Sequence, residues 1–145
     1  MKNYLAVVTI YLMGQMALAD PHSEGHISFA KRQDSAPLKV TSVMLTQGGG
    51  TITAEGEMGE YGRVYLTYEL TADASGLAGS VVGEGRGALQ DGSFAAGSGT
   101  GAYYRDGTLF TMHILFRIND GSQNFDKVVF DAFTRELTHD AYILK

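Results

Sequence analysis

Between Thr51 and Met58 the chain alternates without a break, with Ile52, Ala54, Gly56 and Met58 on one side and Thr51, Thr53, Glu55 and Glu57 on the other. Arg63 to Leu70 repeats the pattern, setting Val64, Leu66, Tyr68 and Leu70 against Arg63, Tyr65, Thr67 and Glu69. A period of two sends alternate side chains to opposite faces of an extended chain, so each segment predicts a strand with one buried face. Leu38 to Gln47, rich in β-branched residues, predicts another strand and stops at Gly48-Gly49-Gly50. Asp73-Ala74-Ser75-Gly76, Asp91-Gly92, Asp106-Gly107 and Asp120-Gly121 are turn signals, because glycine supplies the positive φ that tight hairpins need. Thr108 to Asn119 and Asn124 to Leu144 carry the pattern on; the second is too long for one strand and is expected to break near Arg135-Glu136. Within it Phe130-Asp131-Ala132-Phe133-Thr134-Arg135-Glu136-Leu137-Thr138-His139-Asp140 is the one rival for a helix, and its flanks are β-rich.

The result is an all-β chain of seven or eight hairpin-linked strands. A single up-and-down antiparallel β-barrel closes such a meander without exposed edges, and a two-sheet β-sandwich is the alternative. Gly83-Glu84-Gly85-Arg86-Gly87 and Gly97-Ser98-Gly99-Thr100-Gly101 flank the Asp91-Gly92 turn, so both strands of one hairpin lose every second side chain. Phosphate loops need glycine where a strand opens into a helix, and neither segment opens one; the glycines are read as a structural device that permits tight coiling or lets a ring lie on bare backbone. A two-residue turn would set Gly83 opposite Thr100. A three-residue turn would set glycine against glycine and make a groove.

The first 37 residues read differently. Lys2, the apolar run Tyr4 to Met13 and Ala17-Leu18-Ala19 have the order of a cleavable secretory signal, which places the expected divisions at 1–19 (leader), 20–37 (polar arm) and 38–145 (barrel). No later segment is long and apolar enough to cross a membrane as a helix, so a periplasmic or secreted location is expected. There is no cysteine, hence neither a disulfide nor thiol chemistry. The net charge of −5, without a Lys/Arg cluster, argues against nucleic acid as a partner. His22 and His26 in the arm suggest an amino-terminal metal site, but Pro21 has no N–H to offer such a site, so no metal and no cofactor is expected.

Chemistry would have to come from polar groups in apolar surroundings. Phe110, Met112, Ile114, Phe116 and Ile118 share one face of their strand, and Leu109, Thr111, His113, Leu115 and Arg117 share the other. Glu84 and Arg86 share a face two residues apart and are candidates for an ion network with Arg117 or Asp131. Cofactor-independent cyclase, isomerase or lyase chemistry needs an acid or base desolvated in a cavity, and Glu84, His113 and Tyr104 are the candidate catalytic residues. Tyr68, Tyr104, Phe110, Met112 and Phe116 are the candidate ligand-binding residues.

The Gly-punctuated strands of residues 50–104, GTITAEGEMGEYGRVYLTYEL, GSVVGEGRGALQDGSF and GSGTGAYYRDG, resemble the allene oxide cyclase-like barrels over about half of the expected mature chain. The resemblance implies an eight-stranded barrel with an apolar cavity, often oligomeric, in a group that includes cyclases; no cyclase residue maps onto a matching motif. The leading expectation is therefore a barrel that holds a small, largely apolar molecule in its interior. An acid–base enzyme on the same scaffold is the alternative, and a homo-oligomer built on outer residues such as Leu109 and Leu115 is a third.

Overall fold

A computed structural model describes residues 27–144. The expected leader and both arm histidines, His22 and His26, lie outside the described residues. Nine strands follow in chain order: β1 (Phe29–Lys31), β2 (Ala36–Thr46), β3 (Gly49–Glu57), β4 (Arg63–Ala72), β5 (Ala78–Ala88), β6 (Phe94–Asp106), β7 (Leu109–Ile118), β8 (Gln123–Asp131) and β9 (Glu136–Leu144). From β2 to β8 each strand pairs antiparallel with the next, and β9 pairs with both β8 and β2. That last pairing closes an eight-stranded barrel, which removes the sandwich alternative. Among the described residues no helix is long and apolar enough to cross a membrane.

The ninth strand comes from the segment read as a polar arm. β2 covers only Glu136 to His139 of β9, and β1 covers Tyr142 to Leu144 beyond it. Without β1 the end of β9 would expose a row of unpaired backbone groups. Phe29 packs on Phe125 with ring centroids 4.9 Å apart, which fixes β1 on the outer wall.

The alternating residues behave as their period requires. Ile52 and Ala54 of β3, Val64, Leu66, Tyr68 and Leu70 of β4, and Phe110, Met112, Ile114, Phe116 and Ile118 of β7 are all buried in one core. A bulge between Val40 and Ser42 interrupts the β2–β3 ladder. The long C-terminal segment breaks at Ala132 to Arg135, where Arg135 takes a φ of 62°, and no helix forms there.

The glycine hairpin settles on the register that makes a groove. Leu89 N–H donates to Ser93 O at 3.0 Å and Gly92 N–H to Leu89 O at 3.1 Å, leaving three residues in the loop, with Gly92 at a φ of 85°. Gly83 therefore pairs with Gly99 and Gly85 with Gly97.

Candidate functional site

At Gly83, Gly85 and Gly97 of β5 and β6 the missing side chains are replaced by the ends of their neighbours' side chains. A Cβ on Gly83 would lie 2.5 Å from Phe116 Cζ, one on Gly85 2.5 Å from Leu66 Cδ2, and one on Gly97 2.9 Å from Ile118 Cδ1. β4 and β7 thus lean their long apolar side chains over bare backbone, and most of the groove is filled in this way. What remains is a pocket of about 40 Å³ at one end of the barrel, walled by Gly85, Gly87, Gly97, Leu66, Phe116 and Ile118 and reached by Tyr61, Asn124, Asp126 and His139. A single water needs roughly 10–15 Å³ of such space, whereas pockets that enclose a drug-sized ligand run to about 300 Å³ or more. This pocket accepts a small group, not a whole large molecule.

Its polar floor is built by β4, β8 and β9. Tyr68, His139 and Asp126 are buried among the apolar side chains of the core. Tyr68 Oη lies 2.8 Å from His139 Nδ1, and His139 Nε2 lies 2.9 Å from Asp126 Oδ2. A carboxylate only accepts, so Nε2–H donates to Asp126; in the tautomer that leaves Nδ1 bare, the Tyr68 hydroxyl donates to Nδ1. Burial, with the nearby Asp126 charge, pushes the Tyr68 phenol well above its ordinary range and keeps it a donor. Both imidazole nitrogens are thereby engaged. The group left over is Asp126 Oδ1, buried and without a hydrogen-bond partner among the described residues.

A second polar chain runs along the rim. Arg32, in the link between β1 and β2, donates from Nε to Asn124 Oδ1 at 2.7 Å and from Nη1 to Glu60 Oε1 at 2.8 Å. Asn124 is itself buried, and its Nδ2 donates to Tyr61 Oη at 2.8 Å. Glu60 and Tyr61 sit in a single 3-10 turn, Gly59–Tyr61, bracketed by Gly59 and Gly62 at φ values of 49° and 64°. The turn is also held by Glu60 N–H donating to Gln33 Oε1 at 3.1 Å.

The sequence-predicted residues divide between the two faces of the wall. Phe116 lines the pocket, and Tyr68 is in its floor network. Met112 is fully buried beside them in the core, while Phe110 stacks with Tyr103 at the opposite end. Glu84 and Tyr104 are exposed on the outside, and His113 stands in an outer aromatic row between Tyr104 and Phe125, at centroid distances of 6.2 and 5.6 Å. Glu84, His113 and Tyr104 are therefore not brought together with the pocket. Glu84, Arg86 and Arg117 share an outer groove but form no ion pair with one another.

Asp126, His139, Asn124 and Tyr61 were not singled out from the sequence. Asn124, Asp126, Val128 and Phe130 share the inward parity of β8, and two polar side chains in that row are the signal that was available. The face could not be assigned beforehand, because Phe125 and Val129 make the opposite parity apolar as well. Compared with protein-family models, with curated proteins and with solved structures, the chain matches none.

Proposed function

We propose that the barrel binds a small, largely apolar molecule by inserting its polar end into the glycine-walled pocket, where a hydroxyl or N–H donates to Asp126. The observation that carries this reading is Asp126 Oδ1: a buried carboxylate oxygen without a partner, on a residue that lines the pocket. Leaving such an atom unpaired costs free energy that a ligand's donor would recover. The glycines support the reading from the other side: Gly85 and Gly97 line the pocket, and a Cβ on either would press on Leu66 or Ile118, which line it too. The apolar remainder of the ligand extends past Tyr61 and Ala96 toward the rim.

Native mass spectrometry of the protein isolated from its own source tests this. A retained organic molecule, lost when Gly97→Ala narrows the pocket, supports it. Protein that carries nothing and shows no thermal shift with medium-chain alcohols or amides overturns it.

One observation favours a second reading, acid–base catalysis without a cofactor: Asp126 is oriented through His139 by a buried phenol. In that case Asp126 is the base facing the substrate, and His139 and Tyr68 are positioning residues, because neither ring nitrogen is free. Conversion of the retained molecule to an isomer by the unaltered protein would select this reading over simple carriage, and its recovery unchanged would reject it.

A further inference from the structure

We infer that the pocket selects a ligand bearing both a hydrogen-bond donor and a carbonyl acceptor, a hydroxyketone-like head, with Tyr61 supplying the donor that Asp126 cannot. The inference rests on the binding reading above and deepens it. Its basis is the direction of each hydrogen bond along the rim.

A guanidinium has only donors, so the Asn124 atom that meets Arg32 must be the amide oxygen. The Asn124 amide nitrogen is thereby turned to Tyr61, and an amide N–H₂ can only donate. The Tyr61 oxygen is thus an acceptor in that contact, and its own proton must go elsewhere. Among the described residues no hydrogen bond is formed in which the Tyr61 hydroxyl donates. Burial raises the phenol above its ordinary range, against the opposing effect of the Asn124 hydrogen bond, so the proton stays in place near neutrality. Arg32 is in turn anchored by Glu60 of the same turn, which holds Tyr61 at the rim rather than leaving it to rotate freely.

One pocket therefore presents two unmatched groups of opposite character. Both belong to residues that line it: Asp126 Oδ1 is buried without a donor, and among the described residues none accepts from the half-buried Tyr61 O–H. A plain alcohol satisfies the first and a plain ketone the second. An α- or β-hydroxyketone satisfies both with the few atoms that about 40 Å³ admits, its alkyl tail leaving along the apolar wall.

The experiment uses eight-carbon probes that differ only at the head: an α-hydroxyketone, a β-hydroxyketone, the ketone, the alcohol and the α-diketone. Binding to the full chain is followed by NMR shifts of the glycine hairpin. At least one hydroxyketone should bind about tenfold more tightly than either single-function probe, the worth of one well-made hydrogen bond. Tyr61→Phe should bring the hydroxyketone down to the alcohol and leave the alcohol unchanged. In Asp126→Asn the amide oxygen would take His139 Nε2–H and turn N–H₂ to the pocket, so the preference should move from hydroxyketone to diketone. Hydroxyketones that bind no more tightly than the alcohol, with the ketone weaker than both, overturn the inference and leave the binding reading standing; equal binding of all three overturns both, because the ketone brings no donor for Asp126. Absence of binding by every probe overturns both. Unchanged amide spectra away from the pocket check that each variant folds.

Discussion

The β5–β6 hairpin and the β8–β9 pair face the same pocket and contribute to it in opposite ways. The hairpin contributes by omission: Gly83, Gly85 and Gly97 leave backbone over which Phe116, Leu66 and Ile118 reach. The β8–β9 pair contributes side chains that a core ordinarily excludes, Asn124, Asp126 and His139. One region leaves the space and the other lines it with polar side chains. Glycine alternation and buried polarity meet at one pocket, although their residues are far apart in the sequence.

The largest effect expected from breaking the polar half is His139→Ala. It strands the Tyr68 hydroxyl and Asp126 Oδ2 in the core, and removing one member of such a buried pair costs about 3–5 kcal/mol. Urea unfolding at pH 7 should show this as a shift in midpoint without a change in slope. Replacing Tyr68, Asp126 and His139 together by Phe, Leu and Phe should cost less than His139→Ala alone, because no polar atom is then left unpaired.

The glycine half should break unevenly. A Cβ at Gly101 would run into the His113 carbonyl of β7, which is backbone in a continuous ladder, whereas one at Gly85 meets only the tip of Leu66. Gly101→Ala is therefore expected to lose about 3 kcal/mol and Gly85→Ala about 1 kcal/mol, the upper and lower ends of the range for overpacked sites. Equal losses at the two positions would show that the wall yields as a whole rather than at single contacts.

Tyr68→Phe should cost about 1–3 kcal/mol at neutral pH, because it leaves His139 Nδ1 buried without its partner. Its clearer signature is alkaline. Below the ordinary phenol value of 10.0 both folded and unfolded chains hold the Tyr68 proton; above it the unfolded chain releases the proton while the folded one retains it. Stability thus falls as pH rises from about 10 toward the higher folded value, and Tyr68→Phe should flatten that fall. Tyr61 and Tyr103, also raised by burial, add to it in the same direction.

The smallest effect belongs to the exposed turn that joins the hairpin. Asp91 accepts from the Ser93 hydroxyl at 2.6 Å and from Ser93 N–H at 2.9 Å, and these bonds hold its carboxyl below the ordinary 3.8. A depressed value means stability that is present above about pH 4 and is lost as pH falls through the folded value. Asp91→Ala should therefore lower the unfolding midpoint slightly at pH 7 and not at all near pH 2.

Much of the architecture was legible in the chain. The strands of β3, β4 and β7 came from their period, the hairpin ends from their Asp-Gly turns, and the break near Arg135 from the excess length of the segment. The glycine hairpin posed its own question, and the loop with Gly92 in third place answered it. β1 was not legible, since three residues carry no period and its partner lies at the far end of the chain. The site was only half legible: Tyr68 and Phe116 lay on faces that had to be buried, whereas Glu84, His113 and Tyr104 were chosen for their chemistry and stand on the outer wall.

What the sequence by itself determined was periodic and local: which residues alternate, where the chain turns, and which strands lack side chains. These follow from steric rules that act within a few residues. Closure of the barrel by β9, and the meeting of Tyr68 with His139 across 71 residues and of His139 with Asp126 across 13, were decided only by the tertiary structure. A buried polar group is tolerated once a partner reaches it, and in a closed barrel that partner is set by strand order and register rather than by nearness in the chain.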